Sequence, residues 1–271
     1  MNEEEYSYLK KKINKLLNID LDGYKDQQMR RRLDAFIVRA QVPGVAEYCT
    51  MLERNKDACQ KLKDFLTINV SEFFRDKEQY EILRNQILPD LLKKSPRLNI
   101  WSAGCSIGAE PYSVAIILEE ISPLNRHRIL ATDIDTGILE KAKAGGPYLP
   151  SDVRNLNEHI LSKYFIKDEK HYWVKDKIRQ KVEFKKHNLL MDPFEKGFDL
   201  IICRNVVIYF ADEAKKQLYH RFYDSLKDGG AFFMGGTETL LGNYDIKFEK
   251  ICSSFHRKST KADELKQIPA K

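Results

Sequence analysis

From Trp101 to Ser113 the chain reads Trp-Ser-Ala-Gly-Cys-Ser-Ile-Gly-Ala-Glu-Pro-Tyr-Ser, a run of small residues that follows a strand and opens a helix. Small residues such as Gly104 and Gly108 let a backbone come close to a ligand, and Pro111 suits a first helical turn. A tight strand-to-helix connection needs the same residues, so the loop decides nothing alone. Asp133, in Ala131-Thr132-Asp133-Ile134-Asp135, closes the next strand about 25 residues further on, where a carboxylate can accept both ribose hydroxyl hydrogens. Nicotinamide, flavin and S-adenosylmethionine enzymes all use that device. The loop lacks the full G-x-G-x-x-G that seats a pyrophosphate, and Glu110 stands where its charge repels phosphate. A sulfonium and an α-amino group tolerate it, although an acidic residue also favours a helix start for its own sake. His187-Asn188-Leu189-Leu190 follows a further strand, and Asn188 could read an adenine edge. Cys203-Arg204-Asn205-Val206-Val207-Ile208-Tyr209-Phe210 ends an apolar strand in polar groups, and ligands of open α/β sheets bind at such carboxyl ends. Arg204, Asn205 and Tyr209 point toward a reacting centre, while Tyr209 could also be core packing with a satisfied hydroxyl.

These residues need a parallel sheet to hold them. Strand patterns at Leu98–Gly104, Arg128–Ala131, Leu200–Cys203 and Ala231–Met234 alternate with helical patterns at Pro111–Ile121, Thr136–Ala144 and Asp212–Leu226, the βαβ rhythm of an α/β domain. Before it lie helical patterns over about 45–54 and 56–66, so the first 70 or so residues read as a small helical domain, and a further helix is expected at about 76–93. Met29, Leu33, Phe36 and Ile37 recur at i, i+4, i+7 and i+8 and give a helix with one buried stripe, which puts Gln28, Arg31, Arg32 and Arg39 on its outer face. Between Gly145 and His187 the rhythm breaks, and Lys170–Val174 with Arg179–Lys186 is expected to form an antiparallel ribbon inserted into the parallel fold. Residues 259–271 are polar and unpatterned, and a frayed tail is expected there.

Composition narrows the class. A chain of 271 residues, 42% hydrophobic and 32% charged, can bury a substantial core. Its opening Met1-Asn2-Glu3-Glu4-Glu5 is acidic where a signal peptide is basic, and no apolar run approaches the roughly 20 residues that span a bilayer. A cytoplasmic protein without membrane insertion is therefore expected. The five cysteines, Cys49, Cys59, Cys105, Cys203 and Cys252, form no C-x-x-C pair, which argues against disulfides and structural zinc, and no metal is expected. Residues 10–39 carry nine Lys or Arg against four Asp, most of the +6 net charge of the chain.

Five separated motifs resemble, in order, the signature of the CheR family, the bacterial chemotaxis receptor glutamate O-methyltransferases. They are Asn69-Val70-Ser71-Glu72-Phe73-Phe74-Arg75, Ala103–Ser113, Ala131–Asp135, Asn188-Leu189 and Cys203–Phe210, and the likeness runs over residues 10–257. It implies a Rossmann-like class I methyltransferase domain at 76–258, a helical domain with a basic receptor-facing helix at 1–75, an inserted antiparallel β subdomain at 146–186 and a disordered tail at 259–271. It also implies S-adenosylmethionine as methyl donor and S-adenosylhomocysteine as product. The donor contacts carried over are Asn69, Ser71, Arg75, Gly104, Glu110, Asp133, Asn188, Leu189, Arg204 and Asn205, with Arg75 and Tyr209 nearest the transferred methyl. The family often has Thr where Ser71 stands and Glu where Ala109 stands.

The implied partner is the cytoplasmic helical bundle of methyl-accepting chemotaxis receptors, with Arg30, Arg31, Arg32 and Arg39 steering toward its acidic surface. A monomer is expected. A glutamate carboxylate is ionised at neutral pH, so its methylation needs no general base, and placement and desolvation dominate. A nucleic-acid methyltransferase is the first rival, but the D/N-P-P-Y type of signature is missing and Arg204-Asn205-Val206-Val207 stands instead. A non-catalytic adaptor that binds S-adenosylmethionine is the second, and the intact set with Arg75 and Tyr209 argues against it. Some family members dock a receptor C-terminal peptide on the inserted ribbon through a glycine-rich loop. Residues 163–179 contain no glycine, so no such tether is expected here.

Overall fold

The computed structural model describes residues 1–67, 71–236, 238, 240 and 246–259, which form two compact units. The first comprises Met1–Ile68 with Ile208–Gln217. Its helices are α1 (Glu3–Leu17), α2 (Asp26–Arg39), α3 (Val45–Arg54) and α4 (Lys56–Thr67). A reciprocal cap starts α1: the Asn2 side chain accepts from Glu5 N at 2.9 Å, and Asn2 N donates to the Glu5 carboxylate at 2.7 Å. Each helix turns one apolar stripe inward, with Tyr6, Leu9 and Ile13 from α1 and Met29, Leu33 and Ile37 from α2 buried. The distant segment Ile208–Gln217 joins this unit through backbone pairing. Lys25 N donates to Tyr209 O at 3.1 Å and Ala211 N to Gly23 O at 2.8 Å, and the Tyr24 and Phe210 rings meet edge to face at 5.1 Å.

The second unit is the α/β domain. In chain order, α5 (Lys77–Ile82) passes through a π turn at Leu83–Ile87 into α6 (Leu88–Lys94), followed by β1 (Asn99–Ala103), α7 (Ala109–Ile121), β2 (Arg128–Asp133) and α8 (Thr136–Ala144). Then come α9 (Glu158–Tyr164), β3 (Phe165–Lys167), β4 (Tyr172–Val174), α10 (Asp176–Arg179), β5 (Val182–Lys186), β6 (Phe198–Cys203), α11 (Asp212–Ser225, of which the part from Leu218 belongs to this unit), β7 (Leu226–Met234), β8 (Phe248–Cys252) and β9 (Phe255–Lys258). Seven strands make one sheet in the order β5-β2-β1-β6-β7-β9-β8. The first five run parallel, and β9 and β8 close the far edge antiparallel. All six residues of β6 are buried, as befits a parallel strand covered on both faces. The chain builds outward from β1 to β2 and β5 on one side, then to β6 and β7 on the other. Strand order therefore reverses at β1, and the crevice outside the carboxyl ends of β1 and β6 is where this architecture binds ligands.

One expected pairing is corrected. The ribbon is β3 against β4, with Phe165 opposite Val174 and Lys167 opposite Tyr172, whereas Val182–Lys186 pairs in parallel with β2 as an edge of the main sheet. Its alternation, Val182 buried with Glu183 and Lys185 exposed, suits either neighbour, because a period of two fixes which face is apolar and leaves the partner strand open. The segment 260–271 lies outside the described residues.

His256 on β9 sits between Phe232 of β7 and Lys250 of β8. Burial, with Lys250 adding to it, holds its pKa down to about 4. The folded chain thus refuses a proton that the unfolded chain takes up below about pH 6.5. Stability attributable to this residue is full at pH 7 and falls as the pH drops toward 4. Urea unfolding at pH 7 and pH 5 should show a loss of about 2 kcal/mol from His256, and His256→Asn should remove that part of the pH dependence.

Candidate active site

The end of β2 ties the neighbouring loops together. Gly104 N and Cys105 N both donate to Thr132 O, at 2.8 and 2.9 Å, and His187 N donates to Asp133 O at 2.9 Å. The Asp133 carboxylate accepts from Ser106 N at 2.8 Å and Asp135 N at 3.0 Å. The loop after β1 and the turn after β5 are therefore fixed to a single junction. Gly104 has φ +81°, and a Cβ there would lie 2.5 Å from Val206 Cγ2, so only glycine fits. Asp133 is 8% exposed, and burial raises its pKa, opposed by the backbone N–H groups of Asp135 and Ser106.

A second knot sits at the end of β6. The Arg204 side chain is 3% exposed; Nη2 meets the Asp76 carboxylate at 2.5 Å and Nη1 donates to Arg75 O at 3.3 Å. Its guanidinium lies over the rings of Phe233, at 4.5 Å, and Tyr80, at 5.6 Å. Glu110, in the first turn of α7, approaches Arg204 Nη1 to 4.0 Å and receives the Ser102 hydroxyl at 2.7 Å. Burial raises the Glu110 pKa, while Arg204, Ser102 and Arg75 oppose the rise. Four non-glycine residues around these knots adopt positive φ: Phe74 (50°), Asp76 (63°), Ser106 (49°) and Asn205 (58°). Such backbone is costly and persists where neighbours over-determine it, a common property of functional sites.

At the end of β5, Asn188 N donates to Asp192 Oδ2 at 2.8 Å and Leu190 N to Asn188 Oδ1 at 3.0 Å, so the turn carrying Asn188 and Leu189 is closed on itself. The structure thus brings Arg75, Gly104, Glu110, Asp133, Asn188, Leu189, Arg204 and Asn205 to strand ends and adjoining turns of the same domain. Ser71 is half-buried in the turn before Arg75, and Asn69 lies outside the described residues.

Tyr209 belongs to the helical unit. There its ring lies 5.8 Å from the Arg32 guanidinium, which also stacks 4.9 Å from the Phe65 ring and donates to Phe65 O at 2.7 Å. The expectation that Arg32 faces outward is therefore corrected: its planar guanidinium stacks on aromatic faces and donates to a carbonyl, both supplied by parts of the chain outside α2. Arg30 is likewise engaged, pairing with Glu3 at 2.8 Å and donating to Met1 O at 2.6 Å. Arg31 and Arg39 are exposed.

Sequence reasoning passed over Ser102, Asp76 and Glu238. Glu238 is buried, accepts from Gly235 N at 2.8 Å, and has its pKa raised by burial. Asp76 had a signal, since it directly follows Arg75; Ser102 and Glu238 had none outside the fold.

Comparison with known proteins matches residues 4–67 to the all-alpha domain of CheR methyltransferase and residues 69–256 to its SAM-binding domain. A chemotaxis protein methyltransferase of Listeria innocua is 38% identical over 258 residues, covering 95% of this chain and 98% of the relative. One of Borreliella burgdorferi is 34% identical, covering 92% of each. Chemotaxis protein methyltransferase 2 of Vibrio cholerae is 38% identical over 214 residues, covering 74% of this chain and 71% of the relative.

If Asp133 receives ribose hydroxyls, Asp133→Ala should weaken S-adenosylmethionine binding by roughly 1.5 to 3 kcal/mol through lost charge-assisted hydrogen bonds. Titration calorimetry on the folded variant measures it, and unchanged affinity would remove Asp133 from the site.

Proposed function

The chain belongs to the CheR methyltransferase family, and from that premise we propose that it transfers the methyl group of S-adenosylmethionine to glutamate side chains of chemotaxis receptors. S-adenosylmethionine-dependent methyl transfer in chemotaxis is the family's activity. The glutamyl acceptor and the roles of individual residues are the further step. For the methyl donor one observation carries the reading: Asp133, buried, and Glu110, with its side chain 14% exposed, flank the loop at the point where strand order reverses, each with a raised pKa. A buried carboxylate of that kind gains from a cationic or hydroxyl donor, and the donor molecule offers both, an α-ammonium for Glu110 and ribose hydroxyls for Asp133. The residues present therefore fit S-adenosylmethionine.

When bound, that molecule supplies an electrophilic methyl on a sulfonium, which an acceptor carboxylate oxygen attacks as the carbon–sulfur bond breaks and the sulfur becomes a neutral thioether. The acceptor carboxylate is ionised at neutral pH and needs no base. Arg75 is assigned the task of orienting it, and Asn188 and Leu189 that of holding the adenine end. Arg204 holds the Arg75 carbonyl and the Asp76 carboxylate, and so sets the turn from which the Arg75 side chain leaves. In this reading residues 76–258 form the transferase, residues 1–75 recognise the receptor, and no peptide tether is used. The loop joining β3 to β4 supports that last point, because Asp168 Oδ1 closes it by accepting from Lys170 N and His171 N at 2.8 and 2.7 Å.

The deciding experiment incubates the protein with tritium-labelled S-adenosylmethionine and receptor-containing membranes. Label released as methanol by mild base is the expected result, and base-stable label would sink the ester reading.

Receptor steering falls to the two arginines of α2 that remain exposed, Arg31 and Arg39. Charge reversal of both should slow receptor methylation at low ionic strength and leave donor affinity unchanged, with the difference shrinking as salt screens the attraction. Equal rates for variant and wild type at low salt would discard this surface.

A further inference from the structure

The turn after β5 is held by a residue far along the chain. Arg221 on α11 donates through Nη1 to Leu189 O at 2.6 Å and through Nη2 to Asp192 O. Its guanidinium rests 3.8 Å from the centroid of the Phe194 ring. Two carbonyls of one turn are thereby fixed to a single rigid fork, whose donors keep their mutual geometry. Beneath it Phe194 meets Trp101 edge to face at 4.7 Å, and His187 reaches Pro193 O through Nε2 at 3.2 Å. Within the turn, Asp192 N donates to Asn188 O at 2.9 Å while the Asp192 carboxylate takes Asn188 N. Burial lowers the pKa of Arg221, opposed by Asp192, yet a guanidinium stays charged at any working pH.

We propose that Arg221 is a positioning residue for the methyl donor: by holding the carbonyls of Leu189 and Asp192 it sets the turn that presents Asn188 and Leu189 to the adenine end. This rests on the reading that those two residues contact the donor. The packing of α11 on the sheet is carried by Phe222, which is fully buried and lies 5.5 Å from the Trp101 ring and 5.3 Å from those of Phe232 and Phe194. Losing the fork should therefore loosen the turn and leave the domain folded. Because the methyl-transferring end is untouched, the effect should fall on donor affinity and spare turnover.

The test compares wild type with Arg221→Ala and Arg221→Lys in the full chain. Lysine keeps the charge and can reach one carbonyl, but it can neither bridge two nor stack as a plane. Calorimetry with S-adenosylmethionine and with adenosine alone should show affinity for both probes reduced about tenfold or more in Arg221→Ala, and less in Arg221→Lys. The turnover number at saturating donor should stay within about twofold of wild type, and amide exchange should quicken at residues 188–192 with an unchanged unfolding midpoint. Native affinity for both probes in Arg221→Ala overturns the proposal, as does a fall in turnover number at saturating donor. If Arg221→Ala is insoluble, Arg221→Lys alone decides by the same readings. Asn188→Ala separates the two levels of the argument. If it too leaves affinity intact, the assignment of this turn to the donor has failed; if it weakens binding while Arg221→Ala does not, only the brace has.

Discussion

A guanidinium with its side chain 3% exposed must be neutralised and hydrogen-bonded where it lies, and the site is organised around that requirement of Arg204. Stripping the partner from a buried charge costs on the order of 3 to 5 kcal/mol, so the groups that answer Arg204 are not free to wander. Asp76 and the Arg75 carbonyl answer it from the turn before α5, the Phe233 and Tyr80 rings meet it from β7 and α5, and Glu110 approaches from α7. One cation thus fixes three elements that are remote in sequence. It also gives Glu110 a reason to be tolerated inside the domain, since burial raises its pKa and Arg204 is the leading influence against that rise.

The β2 junction does the same work without a cation. Thr132 and Asp133 offer two carbonyls and a carboxylate, and backbone N–H groups of the loop after β1 and the turn after β5 converge on them. Asp133 spends both carboxylate oxygens on the backbone, so a diol would add to an arrangement already rigid. A site preorganised by main-chain bonds loses little entropy when it is filled.

Much of this was legible in the residues and much was not, for definable reasons. The alternation of strand and helix from Leu98 onward, the glycine turn and the acidic strand end follow from local patterning, which a parallel sheet buried on both faces enforces strongly. The partner of Val182–Lys186 was not legible, because alternation is blind to which edge it meets. Arg32 looked like a surface cation by helical periodicity, and only the positions of Phe65 and Tyr209 from elsewhere in the chain reveal its stacked, half-buried state. Tyr209 itself reads as an extension of the β6 strand end, yet Ile208–Gln217 packs with the helical unit through Gly23–Lys25. Ser102 and Glu238 act through distances that sequence does not encode.

What remains is why the turn bearing Arg75 should carry strain. Phe74 before it and Asp76 after it both hold positive φ, each at a cost of order 1 kcal/mol for a residue with a side chain. Both are bound in place: Phe74 N donates to the Ser113 hydroxyl at 3.0 Å, Phe73 N to Asp152 O at 2.9 Å, and Asp76 to Arg204. A relaxed extended turn would satisfy those groups with water as well, but held by Ser113 of α7, by Asp152 and by Arg204 the strained one gives the Arg75 backbone a single course. Three separate parts of the chain over-determine this turn, and its strain persists because relaxing it would break all of those bonds at once.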